Sequence, residues 1–152
     1  MKIQNAAAMA LCMALVATSS AQEAVTNREA DHQSLRELLK KAEAAINAQD
    51  IAGLQSCFLK EFVFTSSDQT VIASGEEMKK YFDRLFNNAE SPIAQMKTEA
   101  TADILTRFTD AHSGYCAGVS VDTYTLKDGR VVKIQNRCTA TLAKENTEWK
   151  AA

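Results

Sequence analysis

The stretch Tyr115–Ala143 constrains the fold more than any other part of the sequence. It reads as two long strands, Tyr115–Leu126 and Arg130–Ala143, joined by Lys127-Asp128-Gly129-Arg130. Asp-Gly between two β-rich runs is the strongest short-range hairpin signal, because a type I′ turn needs φ > 0 at both central residues. A hairpin of this length must bury one face, so the rest of the chain has to supply the cover.

With Asp128 and Gly129 at the two turn positions, Tyr115 lies opposite Leu142, Val119 opposite Cys138, Val121 opposite Asn136 and Thr123 opposite Ile134. This face is mostly apolar and is expected to point inward. The other face pairs Ser120 with Arg137, Asp122 with Gln135 and Tyr124 with Lys133, and is expected to meet solvent or a partner. Side chains alternate along a strand, so one register decides both faces, and a bulge would shift the parity.

The 152 residues suffice for one domain. The N-terminus reads as a secretory signal. Lys2 supplies the basic n-region, Ala6–Ala17 the apolar h-region and Ser19-Ser20-Ala21 the cleavage site, so residues 1–21 would leave and Gln22 would start the mature chain. Residues 22–33 are polar and read as a flexible leader. Cys12 follows Met-Ala-Leu, a poor lipid-attachment box, so the expected location is secreted or periplasmic without an anchor. No later run reaches the ~18 apolar residues of a membrane span, so no membrane contact is expected after cleavage. Losing Lys2 leaves 16 basic against 19 acidic residues. With no basic stripe, nucleic acid is not an expected partner. Export permits disulfides among Cys57, Cys116 and Cys138. The register sets Cys116 and Cys138 on opposite faces. Cys57 with Cys138 stays open, as does burial of both as free thiols.

Asp31 or Ser34 can cap a helix running to about Gln49, with Leu35, Leu38, Leu39, Ala42, Ala45 and Ile46 on one stripe. Asp50 restarts the chain as the cap of a short second helix carrying Leu54, Cys57 and Phe58. Glu61–Thr65 and Thr70–Ala73 read as short strands. Ser74-Gly75-Glu76-Glu77 is a capping box for a third helix, on which Met78, Tyr81, Phe82, Leu85 and Phe86 form an apolar stripe. Met96–Phe108 alternates as one half-exposed strand, with Met96, Ala100, Ala102, Ile104 and Phe108 on one face and Lys97, Glu99, Asp103 and Arg107 on the other.

Helix, short helix, hairpin, helix and then long antiparallel strands resembles the SnoaL-like branch of the nuclear-transport-factor-2-like superfamily. The matching stretches are Ile46-Asn47-Ala48-Gln49-Asp50 with Leu54, Phe62-Val63-Phe64, Gly75, and Asn136-Arg137-Cys138-Thr139 followed by Trp149-Lys150. The resemblance implies an α+β, cystatin-like fold: a curved antiparallel sheet wrapped by three N-terminal helices into a cone over residues 34–152, with an internal pocket. Isomerases, dehydratases, cyclases and association domains share it. Two features depart from the family pattern. Cys138 stands where relatives place an aromatic residue, and the last strand stops soon after Trp149, which suggests a truncated strand and a bare sheet edge.

Under this register the pocket lining is Tyr115, Val119, Val121, Thr123, Asn136 and Cys138 from the hairpin, with Phe82 from the third helix. Asp122 and Asp103 fall on polar faces, so neither reads as a pocket base. No Ser-His-Asp, phosphate-loop or metal-ligand pattern occurs, and no cofactor or metal is expected. His112 reads as a surface residue. Three functions are compatible with these residues. One is binding of a hydrophobic small molecule in an apolar pocket. Another is isomerase or cyclase chemistry in the same pocket, although no ketosteroid-isomerase-like activity is expected. The third is homodimerisation through the outer sheet face, where Tyr124, Leu126 and Val131 offer apolar area.

Overall fold

The computed structural model describes residues 17–152, with side-chain surroundings from Arg28 onward. The proposed n-region and most of the h-region lie outside the described residues. Helix α1 spans Ala17–Asn47 and α2 Ile51–Gln55. Strands β1 (Phe64–Thr65) and β2 (Val71–Ile72) form a small hairpin before α3 (Gly75–Phe86). The main sheet holds β3 (Ile93–Ala102), β4 (Arg107–Phe108), β5 (Ser113–Leu126), β6 (Val131–Glu145) and β7 (Glu148–Ala151). Its order is β3-β5-β6-β7, all antiparallel, with β4 paired to β5.

Local sequence explains the short elements. The Asp50 side chain accepts from the Gly53 amide and starts α2. The capping box on α3 is reciprocal: Ser74 Oγ accepts from the Glu77 amide, and the Glu77 carboxylate reaches back to the Ala73 amide at 2.8 Å. The stripe on α3 then buries Met78, Tyr81 and Phe82 against Ala45, Leu54, Phe62 and Ile72, which together form the main core. Phe82 therefore serves that core.

The long hairpin forms as expected, but its turn is one residue longer. Lys127-Asp128-Gly129 make a three-residue loop: the Leu126 amide donates to Arg130 O, the Gly129 amide donates to Leu126 O, and Gly129 alone takes a positive φ, of 87°. An Asp-Gly pair fits either a two-residue turn or a three-residue loop with glycine in the left-handed position. The longer loop slips the register by one, so Val119 faces Arg137, Ser120 faces Asn136 and Asp122 faces Ile134. Such a slip inverts the faces of one strand. On β6 the expected inward residues stand. On β5 they are reversed: Asp122 and Tyr124 are buried inside, while Tyr115, Val119, Val121 and Thr123 belong to the outer face. Tyr124 is thus not part of an outer apolar patch.

The strand expected over Met96–Phe108 is broken. It leaves the sheet after Ala102 and returns as β4, with Asp103–Thr106 between them. Gly118 explains the tight approach there: a Cβ at this position would collide with the Thr101 carbonyl oxygen.

The first helix also differs from expectation. Residues 22–33 are helical rather than a loose leader, and Asp31 lies within α1 instead of capping it. Its carboxylate accepts from Lys144 Nζ at 2.7 Å and Trp149 Nε1 at 2.8 Å, which ties α1 to β6 and β7. Burial alone would raise the Asp31 pKa. The hydrogen bonds from Lys144 and Trp149 and the charges of Lys144 and Arg28 outweigh that and hold it below the ordinary carboxylate range. Further along, α1 docks on the free edge of β3. Asn47 Oδ1 accepts from the Thr98 amide at 2.7 Å, Asn47 Nδ2 donates to Thr98 O at 3.1 Å, and Glu43 accepts from the Ala100 amide. These side chains stand in for a neighbouring strand, satisfying edge groups that would otherwise be left unpaired.

Candidate functional site: an apolar cavity between the first helix and the sheet

Where α1 crosses the concave face of the sheet, a cavity of about 500 Å³ remains. Its helix side carries Leu35, Leu38, Leu39 and Ala42, spaced to share one helical face. The sheet side carries Ala100, Ala102, Cys116, Gly118, Cys138 and Ala140. These inner-face residues are all small, so helix and sheet are held apart without enough side-chain volume to fill the gap. Cys57, Phe58, Leu142 and Ala151 close one side. The loop Asp103–Thr106 forms the rim, with Leu105 exposed, and His32 and Arg36 of α1 also reach the cavity.

Of the residues expected to line a pocket, Cys138 does so. Tyr115, Val119, Val121 and Thr123 do not, because the register slip turns them to the outer face. Asn136 is inward but lies beyond the cavity wall, and Phe82 is in the main core. The leucines of α1 were legible as an apolar stripe. Their role as a cavity wall was not, since periodicity shows which face is buried and not what it is buried against. His32 was passed over because it fell in the supposed leader; its ring lies 5.0 Å from that of Phe108.

Next to the cavity, the inner face carries one buried acid. Asp122, 6% exposed, accepts from Thr98 Oγ1 at 2.9 Å and from Asn136 Nδ2 at 2.7 Å. Burial pushes its pKa up, and those two hydrogen bonds offset part of the rise. Both carboxylate oxygens are thus engaged, and the group does not line the cavity. The rim acid, Asp103, is paired with Arg137.

The thiols of Cys57, Cys116 and Cys138 are all free. Cys116 and Cys138 share the inner face, contrary to expectation, because of the same slip. Burial raises the pKa of both, so they remain neutral thiols at pH 7. Among the described residues, no group of three or more His, Cys, Asp or Glu side chains could hold a metal ion.

A family model described as a SnoaL-like domain matches residues 35–152. A comparison with curated protein sequences finds no match. Solved structures share the fold at low identity. A protein of unknown function from Mycobacterium tuberculosis is 20% identical, with 84% of this chain and 71% of that one covered at a TM-score of 0.70. A hexachlorocyclohexane dehydrochlorinase from Novosphingobium barchaimii is 14% identical, with 83% and 84% covered at 0.68. A ketosteroid isomerase-like protein from Erwinia carotovora is 16% identical, with 77% and 87% covered at 0.62. The curved sheet and its N-terminal helices are the shared architecture.

Proposed function

This chain belongs to the SnoaL-like domain family, and we propose that it is an exported member that binds a hydrophobic small molecule in the cavity under α1. The observation that carries this reading is the composition of the wall. Leucines face alanines, a glycine and neutral thiols across a space within the ~300–1,000 Å³ typical of ligand sites. The polar side chains in the lining are few, His32, Arg36, Thr101, Asp103 and Thr106, and these could orient one polar end of a ligand.

The test is a thermal-shift screen with steroids, polyketides and fatty acids, repeated on Ala140→Phe. The new ring fills space that is empty in the free protein, so the fold should persist while binding is lost. A ligand that binds both proteins equally would refute the cavity as its site. Export belongs to the same reading, and the intact mass of the protein recovered from the periplasm of a Gram-negative host should begin at Gln22.

The enzymatic alternative rests on Asp122, the inward acid with a raised pKa. A general base must reach the proton it takes. Asp122 is instead held by Thr98 and Asn136 behind the cavity wall, so binding without turnover is the better supported reading. Steroid-enone turnover that disappears in Asp122→Asn would overturn it.

A further inference from the structure

We propose that the cavity selects an apolar molecule with a single carboxylate at one end, and that Arg36 and His32 receive that carboxylate. The proposal rests on the cavity as a binding site and names the class of ligand it takes. The lining holds two basic side chains, His32 and Arg36, and one acid, Asp103. His32 and Arg36 stand four residues apart on α1 and share a helical face with Leu35 and Leu39, so the basic end runs directly into the apolar wall. Asp103 is already paired with Arg137, which does not line the cavity. A cationic head would find that acid occupied.

Arg36 has room for a further acceptor. Its Nε and Nη2 donate to Gln33 Oε1 at 3.1 and 2.9 Å, and Nη2 also meets Glu29 at 2.7 Å. Its Nη1 has no hydrogen-bond partner among the described residues. The Glu29 side chain is 75% exposed and lies outside the lining, and exposed ion pairs of this kind are weak. A carboxylate delivered with a buried apolar body can therefore take its place. The guanidinium presents its donors as a planar fork that matches a carboxylate. The His32 ring packs 5.0 Å from that of Phe108, and the Arg28 guanidinium lies 4.2 Å from the same Phe108 ring, which puts a third basic group at this end. Asp31, beside Arg28, is engaged by Lys144 and Trp149. A neutral head would cover Arg36 without answering its charge, which costs free energy.

Isothermal titration calorimetry of the full chain with decanoic acid, decanol and decylamine tests this near neutral pH, because the three share one chain and differ in the charge of the head. Decanoic acid should bind roughly tenfold more tightly than decanol, the scale of one charge-assisted hydrogen bond, and decylamine should bind most weakly. Arg36→Gln should bring the acid and the alcohol to equal affinity, and Arg36→Glu should turn the preference toward decylamine. Glu29→Gln should tighten decanoic acid a few-fold by releasing Arg36, an effect that a purely structural arginine would not show. Both side chains are exposed on α1, so these variants should keep the melting temperature. If the acid and the alcohol bind the wild type equally and Ala140→Phe abolishes both, the cavity stands as the site and the carboxylate proposal falls. No binding of decanoic acid, or an acid preference that survives Arg36→Gln, also overturns it. Binding of all three that Ala140→Phe leaves intact overturns the cavity as the site, and this proposal with it.

Discussion

Asp31→Ala should be among the most damaging single changes far from the main core. The carboxylate is the shared acceptor for Lys144 and for Trp149, the only tryptophan, and it joins α1 to the end of the sheet. Truncation leaves the buried indole N–H without a partner, a penalty of about 1–3 kcal/mol. It also leaves Lys144 unpaired. Breaking a buried ion pair costs about 3–5 kcal/mol, but the Lys144 side chain is 23% exposed and can turn toward water, which argues for the low end. The expected total is about 3 kcal/mol, or about 10 °C in Tm for a domain of this size. Asp31→Asn keeps an acceptor for Trp149 and loses only the charge, so about 1–2 kcal/mol is expected.

The pH dependence separates the two contributions. The folded pKa of Asp31 lies below its unfolded value, so the unfolded chain binds the extra proton in the window between them. The stabilisation is complete above the unfolded pKa of about 3.9 and is lost as the pH falls through the folded value. Urea unfolding followed by Trp149 fluorescence, from pH 7 down to strongly acidic buffer, is the assay. The gap between wild type and Asp31→Asn should close as the pH drops below about 4. An Asp31→Ala cost under about 0.5 kcal/mol, the size of an ordinary surface change, would mean that α1 does not reach the sheet through this residue. A gap that stays constant into acid would refute the charge argument.

Three further outcomes follow from the geometry. Tyr124→Asp should unfold the domain, because a buried unpaired charge costs several kcal/mol. Thr123→Glu, between Lys97 and Lys133 on the outer face, should change stability by less than about 0.5 kcal/mol or raise it, and equal melting shifts would show that the register is wrong. Asn47→Leu should cost about 1–3 kcal/mol by unpairing the Thr98 backbone, and amide exchange at Thr98 should quicken; unchanged exchange would mean that another group holds the edge. Gly118→Ala should cost about 1–3 kcal/mol because its methyl meets backbone rather than a movable side chain, and an unchanged melt would show that β3 and β5 can part there freely.

The sequence by itself determined the elements whose cause is local. The capping box before α3, the Asp50 cap of α2, the stripe through Met78 and Phe82, and the two long strands around Asp128-Gly129 all follow from interactions within a few residues. Order and spacing of these elements also carried the family, and with it the curved sheet. Only the tertiary structure decided which face of β5 points inward. The odd-numbered face, with Val119 and Val121, is the more apolar, yet the inner face carries Gly118, Ser120 and Asp122. A cavity wall needs small residues there, and hydrophobic alternation measures burial against a filled core. The turn could not resolve this, because Asp-Gly closes loops of two or three residues and the choice rests on what both strands pack against. Asp31 shows the same limit. Its partners lie 113 and 118 residues away, so in the sequence it resembled a helix cap, and only the closed sheet revealed it as the anchor of α1.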